Sequence, residues 1–303
     1  MIDVEQAVIL MGDENGYLSA IIPQLEELKM TVAVTSDPEE FQKLFEAQGP
    51  MALIAVDGHL VDEARGREMF TSIKQAKKET PVLWVSPKGT IAPNHLTTLP
   101  DAIVKPDDAS PVDLKHIVQH LLVERFFPRI LANAMKFSAC EALRQSFKTS
   151  VKADNSYVRA ETTALSEISS VISFNGPGTT GSVVVSGSDT FFTNTSNKIL
   201  PSDRPQDPGE AAALAGEMCN TIVGKFKAFL VQNGMNVQIS CPLTMRGDTT
   251  SLEYGTGKVS LVTRLTDETD SLFVELCLDM FDLSAIQPNV KQKIIEPGGL
   301  SFF

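Results

Sequence analysis

Five short apolar runs, spread through the first 104 residues and separated by amphipathic segments, restrict this chain more than any other feature of it. They are Ala7–Met11, Thr31–Thr35, Ala52–Val56, Val82–Val85 and Ala102–Val104. Runs that are apolar nearly throughout suit parallel strands, because helical crossovers cover both faces of a parallel sheet. The intervening segments read as helices. Tyr17–Leu28 places Leu18, Ile21, Ile22, Leu25 and Leu28 on one stripe. Asp37–Phe45 opens with a capping Asp37 and Pro38 at the first helical position, and Pro111–Leu122 closes the unit. The pattern predicts an α/β doubly wound unit on a five-stranded parallel sheet, with its site at the carboxyl ends of the strands.

Those strand ends carry the polar residues. Asp13 and Glu14 follow the first run, Asp57 the third, Ser86 the fourth, and Lys105 with Pro106 the fifth. Carboxylates gathered at one pocket can hold Mg²⁺, which makes Asp13, Asp57 and Glu14 the candidate ligands. A hydroxyl such as that of Ser86 can hydrogen-bond a phosphoryl oxygen, and a lysine such as Lys105 can neutralise its charge. A carboxylate nucleophile that becomes an aspartyl-phosphate fits this set, with Asp57 as acceptor.

The pattern changes after Leu122. Arg125–Thr149 reads as one long helical stretch with Pro128 near its start. Apolar runs follow at Thr163–Phe174, Gly181–Ser186, Asn236–Ser240, Gly257–Arg264 and Ser271–Met280, with a strong helix at Pro208–Asn233 between the second and third. This predicts an α+β unit with two long helices on a mainly antiparallel sheet. The expected division is residues 1–124, residues 125–283 and an irregular tail at 284–303, with a short helical connection near Val123–Pro128.

Charge follows the same division. The chain carries a net −12; residues 1–124 hold 20 acids against 10 bases, and the remainder 18 against 16. That sign argues against general nucleic-acid binding and against a polybasic membrane surface. No apolar run reaches the roughly 18–20 residues that a membrane helix needs. The opening MIDVEQAVILMGDE lacks the basic start of a secretory signal. Cys140, Cys219, Cys241 and Cys277 make no zinc spacing and read as small buried hydrophobes in a reducing compartment. A cytoplasmic protein is expected.

The Pro208–Asn233 helix, read with Asp207 as its cap, has an apolar stripe of Ala211, Ala215, Met218, Ile222, Phe226 and Phe229. At 100° per residue, Glu217 and Asn220 fall opposite that stripe and within one turn of each other, on a face shared with Ala213, Gly224 and Ala228. A partner surface could approach closely there, although an acid and an amide three apart also occur on ordinary solvated helices. Other signals carry less. Gly176–Gly181 matches GxGxxG literally but precedes a strand, which makes it a hairpin turn rather than a phosphate loop. His116 and His120 lack a third ligand and read as a solvated face. Asp107 and Asp108 cap or solvate the loop before Pro111, and Trp84 reads as core.

On these residues, 7–122 resembles a response-regulator receiver domain similar to CheY: AVDGHL holds Asp57, VSPKG holds Ser86 and IVKP holds Lys105-Pro106. The resemblance implies a flavodoxin-like fold, an Asp57 phosphorylated by a histidine kinase or a small phosphodonor, and Mg²⁺ in the pocket. The chain departs from the pattern in three places. Gly12-Asp13 stands where the family has two acids, with Glu14 as a partial replacement. Ala102 stands at an aromatic position. Pro93 in a short Ser86–Lys105 segment predicts an eroded fourth helix. A degenerate receiver used for docking is the alternative.

About residues 128–282 resemble the CheX/CheC/FliY chemotaxis phosphatases. The carriers are GEMCNTIVGKFKAFL followed by GMNVQISCPL, ILANAMKFSACEAL at 130–143, and the glycine-turn hairpin GTTGSVVVS. A single Glu-x-x-Asn, with Gly224 four residues after Asn220, is the CheX-like arrangement. The resemblance implies hydrolysis of the aspartyl-phosphate of a CheY-type response regulator. Asn220 would orient the attacking water and Glu217 would pair with the partner's lysine. It also implies a homodimer through sheet edges. Three readings stay open at this level: action on a separate receiver, action on Asp57 of the same chain, and non-catalytic docking.

Overall fold

The computed structural model describes residues 7–13, 15–47, 51–61, 63–76, 80–86, 102–104, 110–159, 166–200, 209–247, 259–268 and 270–282. In its N-terminal part, β1 (Ala7–Met11), β2 (Thr31–Thr35), β3 (Met51–Asp57), β4 (Val82–Val85) and β5 (Ala102–Val104) form a parallel sheet in the order β2-β1-β3-β4-β5. A 3-10 turn at Tyr17–Ile21 runs into α1 (Ile22–Glu27); α2 spans Pro38–Ala47, α3 Glu63–Ala76 and α4 Pro111–Phe126. One face of the sheet, with Val8, Leu10, Leu53 and Ala55, packs with Leu18, Ile21 and Leu25 and with Leu114, Val118 and Leu121 of α4. The other, with Ile9, Met11, Ile54 and Val56, packs with Phe41 and Phe45 of α2 and Met69, Phe70 and Ile73 of α3. Alternate residues of each strand thus feed two cores, the physical reason the runs are apolar throughout. The expected eroded helix falls on residues 87–101, outside the described residues.

Trp84 belongs to the second of these cores, and a side-chain carbon on Gly66 of α3 would come within 2.8 Å of its ring. Ser110 rather than Asp107 or Asp108 caps α4: it accepts from Asp113 N–H, while the Asp113 carboxylate accepts from Ser110 N–H at 2.8 Å. Asp107 and Asp108 lie outside the described residues.

The long helical stretch expected from Arg125 is broken. Phe127 is extended (φ −127°, ψ 121°) and Pro128 caps a new helix, α5 (Arg129–Ser146). The ring of Pro128 disfavours helical backbone at the residue before it, so α4 must end there. At that end Arg125 Nε donates to Met51 O at 3.3 Å.

The C-terminal part is built on β6 (Lys152–Ala153), β7 (Tyr157–Arg159), β8 (Ile168–Gly176), β9 (Thr179–Gly187), β10 (Gln238–Ile239), β11 (Leu243–Arg246), β12 (Ser260–Thr266) and β13 (Ser271–Phe281). Every pair is antiparallel, in the order β10-β8-β9-β13-β12-β6, with β11 beside β8 and β7 beside β12. Between strands lie α6 (Asp189–Ile199) and α7 (Glu210–Gln232), the latter packed on α5, α6, β8, β9 and β11. The literal GxGxxG is a hairpin turn: Gly176 pairs with Thr179, and Gly178 takes φ 73°, the positive value that a proline–glycine turn requires. Gly181 is demanded by close approach, since a Cβ there would lie 2.2 Å from the backbone oxygen of Cys277.

The two parts touch where α4 meets β7, and Gln119 Oε1 accepts from Val158 N–H at 3.0 Å. On β13, Glu275 is 1% exposed; its Oε2 accepts from the Ser260 hydroxyl at 3.2 Å, and the guanidinium of Arg159 on β7 stands 3.5 Å from Oε1. Burial raises this carboxyl's pKa, with Arg159 and Ser260 opposing the rise. A native group that holds its proton above the usual 4.5 loses stability as pH rises through that interval. Glu275→Gln removes the penalty. In urea denaturation at pH 8 against pH 4, the Gln variant therefore gains on wild type at pH 8, and equal differences at both pH values would contradict the assignment.

Cys219 and Cys277 are buried, Cys140 is half-buried and Cys241 exposed. Burial pushes the Cys219 thiol up to about 12, which leaves it unreactive. Among the described residues no helix is long and apolar enough to cross a membrane.

Candidate functional site

Two groups of residues merit attention. The first lies where the sheet order reverses, between the carboxyl ends of β1 and β3. Gly12 and Asp13 follow β1, and Gly12 N–H donates to Thr35 O at 2.9 Å, which holds the strand end against β2. Asp57 is the last residue of β3. Ser86, buried, follows β4, and its N–H donates to Val104 O at 2.8 Å. Asp13 is exposed. Glu14 and Lys105 are outside the described residues, so of the five pocket residues expected from sequence the structure places Asp13, Asp57 and Ser86.

The immediate partner of Asp57 is one that sequence reasoning passed over. His59 N–H donates to Asp57 Oδ1 at 3.0 Å, and His59 Nδ1 stands 2.7 Å from the same oxygen. A carboxylate only accepts, so Nδ1 carries the proton in this pair. The Asp57 side chain is 15% exposed and that of His59 52% exposed. The signal was present in the AVDGHL run, because an aspartate commonly accepts from the N–H two residues on and so brings that residue's side chain alongside.

The second group is on α7. The expected apolar stripe is buried at Ala211, Ala215, Met218, Ile222 and Phe226. Ala213, Glu217, Asn220, Gly224 and Ala228 are all exposed, which is the ridge the spacing called for. Gly209 rather than Asp207 is the N-cap residue, and Asp207 and Pro208 lie outside the described residues. Two contacts fix the ridge. Gly216 packs over β11, where a Cβ would meet Thr244 Oγ1 at 3.2 Å. Lys225 Nζ donates to Gln145 Oε1 at 2.9 Å and pairs with Glu141 at 3.5 Å, which ties α7 to α5. Thr221 donates to the Glu217 carbonyl at 2.8 Å and leaves the helix ladder intact.

Gly224 is the informative residue. A glycine in an exposed helix interior costs about 1 kcal/mol relative to alanine. A Cβ built on Gly224 meets nothing within 4 Å. Packing within the described chain therefore does not require this glycine, and the notch it leaves lies one turn from Asn220.

His116 and His120 are exposed, and His120 pairs with Glu124 at 3.5 Å, as a solvated face would.

Residues 168–266 match the family model described as Chemotaxis phosphatase CheX. That span runs from β8 to β12 and includes all of α7. Among curated proteins none matches the chain significantly. Among solved structures, a CheC-like superfamily protein from Shewanella sp. PV-4 is 20% identical, with a TM-score of 0.46 over 50% of this chain and 99% of that one. A chemotaxis protein CheX from Desulfovibrio desulfuricans is 21% identical, with a TM-score of 0.46 over 50% of this chain and 99% of that one. A CheX–CheY–BeF₃–Mg²⁺ complex from Borrelia burgdorferi is 15% identical, with a TM-score of 0.40 over 48% of this chain and 96% of that one.

Proposed function

We propose that the C-terminal part is a phosphatase for the aspartyl-phosphate of a CheY-type response regulator, working in a chemotaxis or two-component pathway in the cytoplasm. The N-terminal part is its receiver and regulatory input. The observation that carries this reading is the exposed Glu217–Asn220 pair beside the Gly224 notch, inside the span that matches a family described as a chemotaxis phosphatase.

The chemistry asks little covalent work of the protein. Phosphoryl transfer is catalysed by placing the attacking oxygen in line with phosphorus and by stabilising charge. Asn220, on a rigid 23-residue helix, offers an amide that both accepts from and donates to a water. Inserted into a partner's pocket, it orients that water. Glu217, one turn away, pairs with the cation of the partner's pocket and sets the docking angle. The small side of the ridge lets the partner's backbone come close.

The partner is a separate molecule. The chain leaves the N-terminal sheet beside Met51, at the opposite end of β3 from Asp57. At about 3.3 Å per residue, those ends are roughly 20 Å apart. Among the described residues, the elements that α7 mainly packs on, α5, α6, β8, β9 and β11, belong to the C-terminal part. A near-neutral phosphatase part also avoids like-charge repulsion with acidic receivers. A histidine kinase upstream and a homodimer belong to the same reading, the latter checked by light scattering.

Gly224→Ala tests the notch. Stability rises by about 1 kcal/mol in urea denaturation, while the rate of phosphate loss from a phosphorylated CheY-type receiver falls. A variant that gains stability and keeps full rate would remove close approach from the account.

A docking-only N-terminal part is the second reading. Gly12 and the His59–Asp57 pair favour it.

A further inference from the structure

A divalent cation beside an acceptor carboxylate is bound by several oxygens from neighbouring strand ends, and Mg²⁺ in particular takes oxygen ligands in near-octahedral geometry. Two features of this pocket do not fit that requirement. The first is Gly12. A Cβ built on it would lie 3.9 Å from the Cβ of Asp57, so this is a position from which a second carboxylate would reach an ion shared with Asp57. The chain supplies none there. Gly12 is not among the residues with positive φ, and its nearest contact would be the flexible tip of Leu18 at 3.4 Å. Backbone geometry does not demand the glycine, and the site could accept an acid.

The second feature is His59. Its ring N–H and backbone N–H both point at Asp57 Oδ1, at 2.7 and 3.0 Å. Two donors directed at one carboxylate oxygen fill both of its lone-pair directions and so deny that oxygen to a cation. Among the described residues, no group of three or more His, Cys, Asp or Glu side chains is placed to hold a metal ion.

We propose that His59 stands in for the cation: the imidazole holds Asp57 Oδ1 where a divalent ion would otherwise sit, and the pocket takes no Mg²⁺. The acceptor carboxylate is thereby fixed by a side chain of its own turn. Phosphoryl transfer in such pockets relies on metal ions to neutralise developing charge. A pocket without one is therefore not labelled by a small phosphodonor, and the N-terminal part supplies its input by docking. This rests on the receiver half of the reading above and is independent of the phosphatase half.

The test is cation titration of the full chain, which reads no phosphate chemistry. Wild type, His59→Ala, Gly12→Asp and the Gly12→Asp/His59→Ala double variant are titrated with MgCl₂ and with MnCl₂ at constant ionic strength. Binding is followed by calorimetry and by the fluorescence of Trp84, which pairs with Val56 next to Asp57. Circular dichroism confirms folding of each variant before titration. Wild type shows no saturable binding. The double variant acquires a saturable site, tighter by about tenfold or more than Gly12→Asp alone, because only the double variant both adds an oxygen ligand and removes the ring N–H from Oδ1. Saturable binding by wild type that Asp57→Asn abolishes would overturn the proposal. So would a double variant that is folded yet binds no better than Gly12→Asp.

Discussion

Asn220→Ala abolishes most of the phosphatase activity and leaves the fold intact. Removing a group that positions or stabilises the reacting atoms costs on the order of 10²-fold in rate. The Asn220 side chain is exposed, so thermal unfolding stays within about 0.5 kcal/mol of wild type, as for most surface substitutions. That combination separates a catalytic amide from a structural one. Glu217→Ala behaves differently, because Glu217 is assigned to docking. Its rate deficit is largest at low concentrations of the phosphorylated partner and shrinks at saturation, as expected when binding rather than the transition state is affected. Equal deficits at all partner concentrations would move Glu217 from docking into the chemistry.

The largest loss of stability is expected at Phe226→Ala. Phe226 is 1% exposed and lies on the buried stripe of α7. Its ring meets that of Phe174 on β8 edge-on at 6.0 Å and stacks with Phe229 at 6.4 Å. Truncating a fully buried phenylalanine costs about 3–5 kcal/mol through lost burial and the cavity left behind. For a unit of this size that corresponds to a melting shift on the order of 10 °C. Phe226 also anchors the helix that carries Glu217 and Asn220. Phosphatase activity should therefore vanish at temperatures where wild type is still active and recover on cooling. A shift of only a degree or two would mean that α7 is held to the sheet by contacts other than its aromatic ones.

The strands of the N-terminal sheet were the legible part of this chain. The four expected runs Ala7–Met11, Thr31–Thr35, Val82–Val85 and Ala102–Val104 are strands with those bounds, and the third is longer by Met51 and Asp57. A strand buried on both faces cannot tolerate polar interruptions, so its limits are written in the sequence. Helix ends were harder. The break at Phe127 followed from Pro128 and could have been read, whereas Gly209 as the start of α7 depends on backbone geometry that composition does not reveal. α3 and α6 were not singled out. α3 shows the helical spacing in Met69, Phe70 and Ile73, but α6 is mostly polar, and its buried Phe191, Phe192, Thr195 and Ser196 make a mixed stripe. The short strands β6, β7 and β11 are held by their neighbours and have little pattern of their own.

The sites divided in the same way. The exposure of Glu217 and Asn220 followed from helical periodicity alone, since the buried stripe opposite them is strongly apolar. The His59–Asp57 pair did not, because a contact between two side chains two residues apart depends on the turn that follows β3. Gly12 was visible as a missing acid, but its proximity to Asp57 comes from the parallel pairing of β1 and β3.

The most direct test of the central claim follows phosphate loss from a purified, phosphorylated CheY-type receiver as the full chain is added. The account predicts that decay accelerates in proportion to the chain added, and that the Asn220→Ala chain at the same concentrations leaves the receiver's own decay nearly unchanged. Decay that is no faster with the wild-type chain than with Asn220→Ala would contradict it.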